Sequence, residues 1–144
     1  MEFCRRHAGV EVLIDAATDP TQRIEEAFGG NLPLYVFDCT GSPRSMQASF
    51  RYLAHGGKLV FVGLYPGDIT FSDPDFHKRE TTLLSSRNAT KDDFERVMRS
   101  LEAGLILTDP WIEHRYTPET LVESFPKLLD PEQGVLKPMV NWAG

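Results

Sequence analysis

Three short apolar segments, each ending in glycine or small polar residues, constrain the fold of this chain more than any other feature. They are LYVFDCTGSP at residues 34–43, KLVFVGL at 58–64 and TTLLSS at 81–86. The first is apolar on both faces until it breaks at Thr-Gly, as expected of a buried parallel strand. Helix signals follow the first and third segments, and parallel strands need such crossover connections. The order therefore predicts an α/β fold with a parallel sheet.

The helix signal after the first strand is specific. Ser42 and Pro43 are suited to cap and start a helix, and Met46, Phe50 and Leu53 then recur at i, i+4 and i+7. A Gly-Gly pair ends this helix. The spacing predicts that the three apolar side chains face the core.

The amino-terminal segments extend the alternation of strands and helices. Residues 2–8 predict a helix that Gly9 ends, and residues 10–16 (VEVLIDA) predict a strand. Asp19 is suited to cap a helix that ends at the pair Gly29-Gly30. Residues 65–78, rich in Asp, Pro and Gly, predict a loop.

Beyond the third strand, two helices and two short strands are predicted. The helices follow Thr90 and Thr117, and the strands span residues 112–116 and 136–142. Pro126 is expected to kink the second helix or end it early. The residues expected to face the core are Phe94, Val97, Met98 and Leu101 in the first helix, and Leu121, Val122 and Phe125 in the second.

Composition excludes some classes of function. The 144 residues carry a net charge of −6, and Lys and Arg form no patch, which argues against nucleic acid or an anionic membrane as partner. No apolar run approaches the roughly 20 residues of a membrane span, and no signal peptide is evident. Cys4 and Cys39 have no metal-type spacing and are expected to be reduced thiols, which favours a cytoplasmic location.

The carboxyl ends of the three strands are the predicted site. They are Cys39-Thr40-Gly41, Val62-Gly63-Leu64 and Ser85–Asn88. In an open α/β sheet, ligands bind outside such strand ends, and glycine allows a flat ligand to approach the backbone. Taken singly, each glycine is better explained by structure alone, with Gly41 beginning a turn and Gly63 ending a strand. The three ends together favour a ligand edge.

Residues 32–64 resemble the second half of the nucleotide domain of zinc-type alcohol dehydrogenases, the medium-chain dehydrogenase/reductase family. A strand ending D-x-T-G, a helix and a G-G-x-hydrophobic-hydrophobic-x-G strand carry the resemblance. Residues 81–106 look like its last sheet strand and following helix, and residues 111–140 like its return into the catalytic domain. The segment SSRNAT, at residues 85–90, is similar to the corresponding segment of the polyol and sugar-acid dehydrogenases within that family. The resemblance implies an incomplete Rossmann-like domain at 1–108 and a carboxyl-terminal strand-helix-strand return segment at 109–144.

The resemblance also implies roles for ten residues around NAD or NADP. Cys39, Thr40 and Gly41 would flank the adenosine side of the cofactor. The backbone of Val62, Gly63 and Leu64 would hold the nicotinamide carboxamide. Near the nicotinamide and the domain cleft would lie Ser86, Arg87 and Asn88, and Lys137 would approach the pyrophosphate; on physical grounds alone, Lys137 is an ordinary solvated lysine.

Two features of that family are not found in the sequence. There is no glycine-rich G-x-G-x-x-G turn for the pyrophosphate, and no set of cysteine, histidine and acidic ligands for the catalytic zinc. Cys4 and His7 lie at i, i+3 on a helix, but two ligands make a weak metal site. The expectation is therefore a carboxyl-terminal fragment of an enzyme for an alcohol, polyol or sugar acid, not catalytically competent alone.

If the first half of the nucleotide domain is missing, LYVFDC becomes an exposed apolar edge of the sheet. Such an edge is a template for pairing with a strand of another chain. We expect either that VEVLIDA moves over to cover it, or that the chain pairs with a second copy or with the missing amino-terminal half. A stand-alone module that binds nucleotide weakly or complements a partner chain is the alternative function. A non-functional remnant is the third possibility.

Overall fold

The computed structural model describes residues 2–112 and 114–142. It divides the chain into two compact units, Met1–Asn88 and Ala89–Gly144. A functional boundary at residue 108 stays a prediction.

The first unit contains four helices and three strands among its described residues. A 3-10 helix, Ser49–Tyr52, continues α3. The elements in chain order are α1 (Glu2–His7), α2 (Thr21–Ala27), β1 (Tyr35–Asp38), α3 (Pro43–Ala48), β2 (Lys58–Phe61), α4 (Asp73–Lys78) and β3 (Thr82–Ser85).

The three strands of the first unit form a parallel sheet in the order β1-β2-β3, which confirms the predicted α/β fold. Val36 of β1 lies beside Leu59 of β2, and Leu59 lies beside Leu83 of β3. Because side chains alternate along a strand, this row shares one face of the sheet. All three strands therefore end at the same edge, as the sequence predicts.

The core of the first unit lies between that sheet face and residues 43–53, which comprise α3, its 3-10 extension and Leu53 and are called the α3 segment. Met46, Phe50 and Leu53 are buried, which confirms the predicted stripe, and Leu53 and Leu59 are fully buried. Phe50 also stacks on Phe71, with ring centroids 4.5 Å apart. The α3 segment is thus held firmly beneath the end of β1.

The predicted strand at VEVLIDA is wrong. Residues 10–16 form no strand, and β1 has no neighbour on its outer side among the described residues. An alternating apolar pattern yields a strand only where a partner supplies backbone hydrogen bonds. In this segment the Asp15 side chain instead accepts from the Ala17 amide at 2.9 Å and forms a turn.

Two further expectations for the first unit need correction. Tyr35 and Phe37 are 59% and 63% exposed, so β1 is an edge strand rather than a buried one. The predicted loop at 65–78 contains α4, which Ser72 caps by accepting from the Asp75 amide. Ser72, Asp73 and Pro74 together are a recognisable helix start that the loop composition obscured.

Among its described residues, the second unit contains two α-helices and a two-stranded sheet. Thr90 and Asp93 form a reciprocal capping box, which confirms the predicted helix start. A second capping box joins Thr117 and Thr120. The elements are α5 (Lys91–Glu102), β4 (His114–Tyr116), α6 (Pro118–Leu128) and β5 (Pro138–Val140), and β4 and β5 are parallel.

The predicted core faces of these two helices are mostly exposed. Phe94 and Met98 of α5 are 65% and 55% exposed, and Val122 of α6 is 76% exposed. Strands of three residues offer little surface on which a helix face can be buried. Pro126 lies inside α6, which ends two residues later at Leu128, so the helix tolerates the missing backbone donor.

Candidate functional site

The ends of β1 and β2 are joined through the backbone of one residue. The carbonyl oxygen of Asp38 accepts from the amides of Val62, at 2.8 Å, and Gly63, at 2.9 Å. The end of β3 joins the same edge, because the Ser86 amide donates to the Phe61 carbonyl at 2.9 Å. Residues 39–41, 62–64 and 86 are therefore brought to one edge of the sheet.

Gly41 and Gly63 are required by the contact between these two strand ends. Gly41 has a φ of +62°, and a Cβ there would lie 2.8 Å from the Leu64 carbonyl oxygen. A Cβ on Gly63 would overlap the Gly41 nitrogen and lie 3.0 Å from the Cys39 carbonyl carbon. Backbone packing alone thus accounts for both glycines, and this space is filled by the chain itself.

The carboxylate of Asp38 organises the turn that follows β1. It accepts from the Thr40 amide at 3.0 Å and the Thr40 hydroxyl at 2.8 Å. It also accepts from the hydroxyls of Ser45, at 2.7 Å, and Ser49, at 3.2 Å, both in the α3 segment. Asp38 therefore links β1, the Thr40 turn, α3 and the end of β2.

Two opposing effects act on the pKa of Asp38. Burial of the side chain, which is only 3% exposed, would raise it, but the hydrogen bonds from Ser45, Thr40 and Ser49 together outweigh burial. The net result is a pKa below the ordinary value of 3.8. The carboxylate is therefore ionised near neutral pH and acts as a fixed acceptor rather than an acid.

Sequence reasoning missed Asp38, since the predicted site began at Cys39. A signal was present: an acidic residue ends an apolar strand, a threonine follows two residues later, and serines lie at i+7 and i+11. Asp side chains commonly bond to the backbone two residues on. The buried position, however, depends on α3 folding over the strand end.

The other predicted residues are placed as follows. Cys39, Thr40, Val62 and Leu64 are exposed at the joined strand ends. After β3, Ser86, Arg87 and Asn88 are also exposed, and Asn88 has a φ of +59°. Lys137 is exposed in the second unit, next to β5. Its approach to a pyrophosphate stays a prediction.

Zinc does not fit the residues that the structure describes. Within 2–112 and 114–142, no group of three or more His, Cys, Asp or Glu side chains is placed to hold a metal ion. A zinc site needs three or four such ligands.

The described helices include none long and apolar enough to cross a membrane.

A dinucleotide fits the strand-end edge only in part. Thr40, Val62 and Leu64 are exposed at this edge, but the Thr40 hydroxyl already donates to Asp38 at 2.8 Å and accepts from the Ser42 amide at 3.1 Å. The amides of Val62 and Gly63 are already bonded to Asp38, so neither is free for a carboxamide. The sequence contains no G-x-G-x-x-G turn to hold a pyrophosphate.

A parallel α/β sheet with polar and glycine residues at its carboxyl edge defines the class of open-sheet, nucleotide-binding folds. Within that class, the family model for zinc-binding dehydrogenases matches residues 1–103. The chain belongs to this zinc-binding dehydrogenase family, as the sequence resemblance indicates.

Individual relatives agree with this assignment. The chain is 38% identical over 131 residues to L-galactonate-5-dehydrogenase of Escherichia coli K12, a match that covers 91% of this chain and 38% of the relative. It is 26% identical over 141 residues to L-arabinitol 4-dehydrogenase of Hypocrea jecorina, covering 97% of this chain and 37% of that protein. The chain thus spans less than two fifths of the length of these relatives.

Solved structures show the same fold. The crystal structure of 2R,3R-butanediol dehydrogenase from Bacillus subtilis superimposes with a TM-score of 0.84 at 19% identity. That match covers 99% of this chain and 40% of the butanediol dehydrogenase.

Proposed function

We propose that this chain is the cofactor-domain portion of a zinc-dependent, NAD(P)-linked oxidoreductase. The reaction is transfer of hydride from the CH–OH group of an alcohol, polyol or sugar acid to the nicotinamide. The observation that supports this most is the joining of the β1 and β2 ends by Asp38 in a chain of the zinc-binding dehydrogenase family. By similarity to the Escherichia coli relative, a sugar acid such as L-galactonate is the first substrate to test.

In this proposal the chain's own residues position one flank of the cofactor. Cys39, Thr40 and Gly41 border the adenosine side, and Asp38 keeps this turn rigid. Because the amides of Val62 and Gly63 are bonded to Asp38, residues 62–64 offer their carbonyl groups to the nicotinamide carboxamide.

Ser86, Arg87 and Asn88 border the nicotinamide end, and Lys137 contributes a positive charge to the pyrophosphate. When bound, the nicotinamide supplies the hydride acceptor. We assign no step to zinc, because the described residues provide no site for it.

The purified chain is expected to show no NAD- or NADP-linked oxidation of L-galactonate. Without a glycine-rich turn, binding of either dinucleotide should be no tighter than about 1 mM. Calorimetric titration with NAD and NADP, together with absorbance of the reduced nicotinamide, measures both quantities. Tight binding or turnover by the chain alone would contradict this part of the proposal.

A second candidate function is a module that complements a partner chain, and the outer edge of β1 favours it. Leu34 and Asp38 direct their carbonyls to β2, where the amides of Lys58 and Val62 donate to them. Backbone groups alternate in direction, so those of Tyr35 and Phe37 point away from the sheet. Both side chains are exposed and uncharged, which leaves this edge unprotected against strand pairing.

Replacement of Phe37 with lysine should therefore reduce association of the chain. The wild type should show a mass that rises with concentration in light scattering after size exclusion, whereas Phe37→Lys should remain monomeric. Phe94→Lys is the matched control, because Phe94 is 65% exposed but lies on α5 rather than on a strand edge. Equal effects of both variants would indicate nonspecific apolar association.

Complementation is tested separately. The piece to add is the part of Escherichia coli L-galactonate-5-dehydrogenase that the match does not cover. If the β1 edge receives a strand from that piece, the mixture with the wild-type chain should show NAD-linked activity. Phe37→Lys should then lower the restored activity.

A further inference from the structure

The outer edge of β1 has a residue pattern that is nearly the same when it is followed in either direction. Two aromatic residues, Tyr35 and Phe37, flank Val36, and their backbone groups point away from β2. Both aromatic side chains are mostly exposed, on the face of the sheet opposite to the row that contains Val36 and Leu59. The edge therefore presents backbone groups and aromatic surface that a second copy of the same edge can match.

A two-fold axis at Val36 pairs two such edges in antiparallel directions. Tyr35 of one copy then lies opposite Phe37 of the other, and the same pair repeats on the other side of the axis. Each of these is a hydrogen-bonded pair that exchanges both N–H···O bonds, whereas Val36 lies opposite Val36 in a non-hydrogen-bonded pair. Aromatic side chains that face each other across two strands stabilise the pairing further.

Other registers of the same two edges form fewer hydrogen bonds. A shift of two residues in one direction places Pro33 opposite Phe37. Pro33 has no amide hydrogen, and its carbonyl already accepts from the Ala54 amide at 3.0 Å. A shift in the other direction needs Cys39 as a strand residue, but Cys39 lies beyond the end of β1. The register centred on Val36 is therefore the one that this edge supports best.

The outer edge of β3 also has no neighbouring strand in the described part of the chain, but it offers less apolar surface. The amides of Thr82 and Ser86 donate towards β2, so Leu83 and Ser85 direct their backbone groups outward. Leu83 is 38% exposed and Ser85 is polar, in contrast to the two exposed aromatic residues of β1. Self-pairing is therefore favoured at β1.

We propose that two copies of this chain pair through their β1 edges in a two-fold dimer centred on Val36. Both copies use the same surface, so this interface closes on itself and does not extend into a fibre. The inference rests on the exposed edge that the second candidate function describes, and it names a second copy as the partner of that edge. It does not depend on the proposed dinucleotide function.

Disulfide trapping in the complete 144-residue chain tests the register, after Cys4 and Cys39 have been replaced with serine. Val36→Cys should shift under mild oxidation from 16.2 kDa to a covalent dimer of twice that mass. The reason is that Cα atoms in a non-hydrogen-bonded antiparallel pair lie about 4.5 Å apart, within the range of a disulfide. Tyr35→Cys and Phe37→Cys should each stay at the monomer mass, because each position lies opposite the other one.

An equal mixture of Tyr35→Cys and Phe37→Cys should form the covalent dimer that neither variant forms alone. Cα atoms in a hydrogen-bonded antiparallel pair lie about 5.5 Å apart, which a disulfide also spans. The mixture retains Val36, which packs against the core of the first unit. It therefore tests the register even if Val36→Cys does not fold.

Leu84→Cys is the matched control, because Leu84 holds the equivalent central position for self-pairing of β3 and is 46% exposed. It should stay at the monomer mass. The proposal is overturned if the mixture gives no more covalent dimer than either variant alone, or if Leu84→Cys forms a dimer as readily as Val36→Cys. No other chain and no cofactor are added, so a failure of complementation or of NAD binding leaves the trapping result unchanged.

Discussion

Gly63→Ala is expected to destabilise the first unit by about 3 kcal/mol, at the upper end of the cost of overpacking. The added Cβ would overlap the Gly41 nitrogen and approach the Cys39 carbonyl carbon to 3.0 Å. These are backbone atoms held by the Asp38 hydrogen bonds, so they cannot swing aside as a side chain would. The lower entropy of the unfolded alanine chain offsets this by only about 0.4–1 kcal/mol.

The measurement should report on the first unit specifically. Both tryptophans, Trp111 and Trp142, belong to the second unit, so urea unfolding is best followed by amide hydrogen exchange in β1 and β2. Gly56→Ala is the control, because Gly56 has a φ of +69° but nothing within 4 Å of an added Cβ. It should cost about 1–2 kcal/mol from backbone strain alone. If the first unit of Gly63→Ala has the same free energy of unfolding as that of the wild type, Gly63 does not pack against the backbone of residues 39–41.

Local chemistry made part of this fold predictable. The buried stripe of Met46, Phe50 and Leu53 follows from helical spacing, and the Thr90 cap from hydroxyl and carboxylate groups three residues apart. The carboxyl edge of the sheet was likewise predictable, because parallel strands end on the same side. Interactions within a few residues determine the first two features, whereas the third follows from the parallel direction of strands that are distant in the sequence.

Features that depend on a partner surface were not predictable. VEVLIDA has the pattern of a strand but no strand beside it, and Phe94 has the spacing of a core residue but stays exposed. Asp38 illustrates the same point within the candidate site. Its role depends on two serines that lie 7 and 11 residues away and that reach it only after α3 folds over the strand end.

Asp38→Ala should cost about 3 kcal/mol, because it removes four hydrogen bonds and leaves the part-buried donors of Thr40 and Ser45 without their acceptor. Asp38→Asn keeps the size of the side chain but cannot accept at both terminal atoms. Asp38→Asn should therefore be less destabilising than Asp38→Ala. Its loss of unfolding free energy relative to the wild type, measured by urea unfolding, should depend on pH. The wild-type carboxylate contributes its full stabilisation above the unfolded pKa of about 3.8.

That contribution is lost as the pH falls through the lower pKa of the folded state, so the wild type and Asp38→Asn should converge in acid and differ most near neutral pH. Asp19→Asn is the matched control. Asp19 makes the same pair of hydrogen bonds to a threonine two residues on, at 3.0 Å and 2.6 Å, but on the protein surface. Its substitution should shift the urea midpoint far less than Asp38→Asn. Similar shifts for the two variants would mean that the threonine turn, and not the buried junction with Ser45 and Ser49, supplies the stability of this edge.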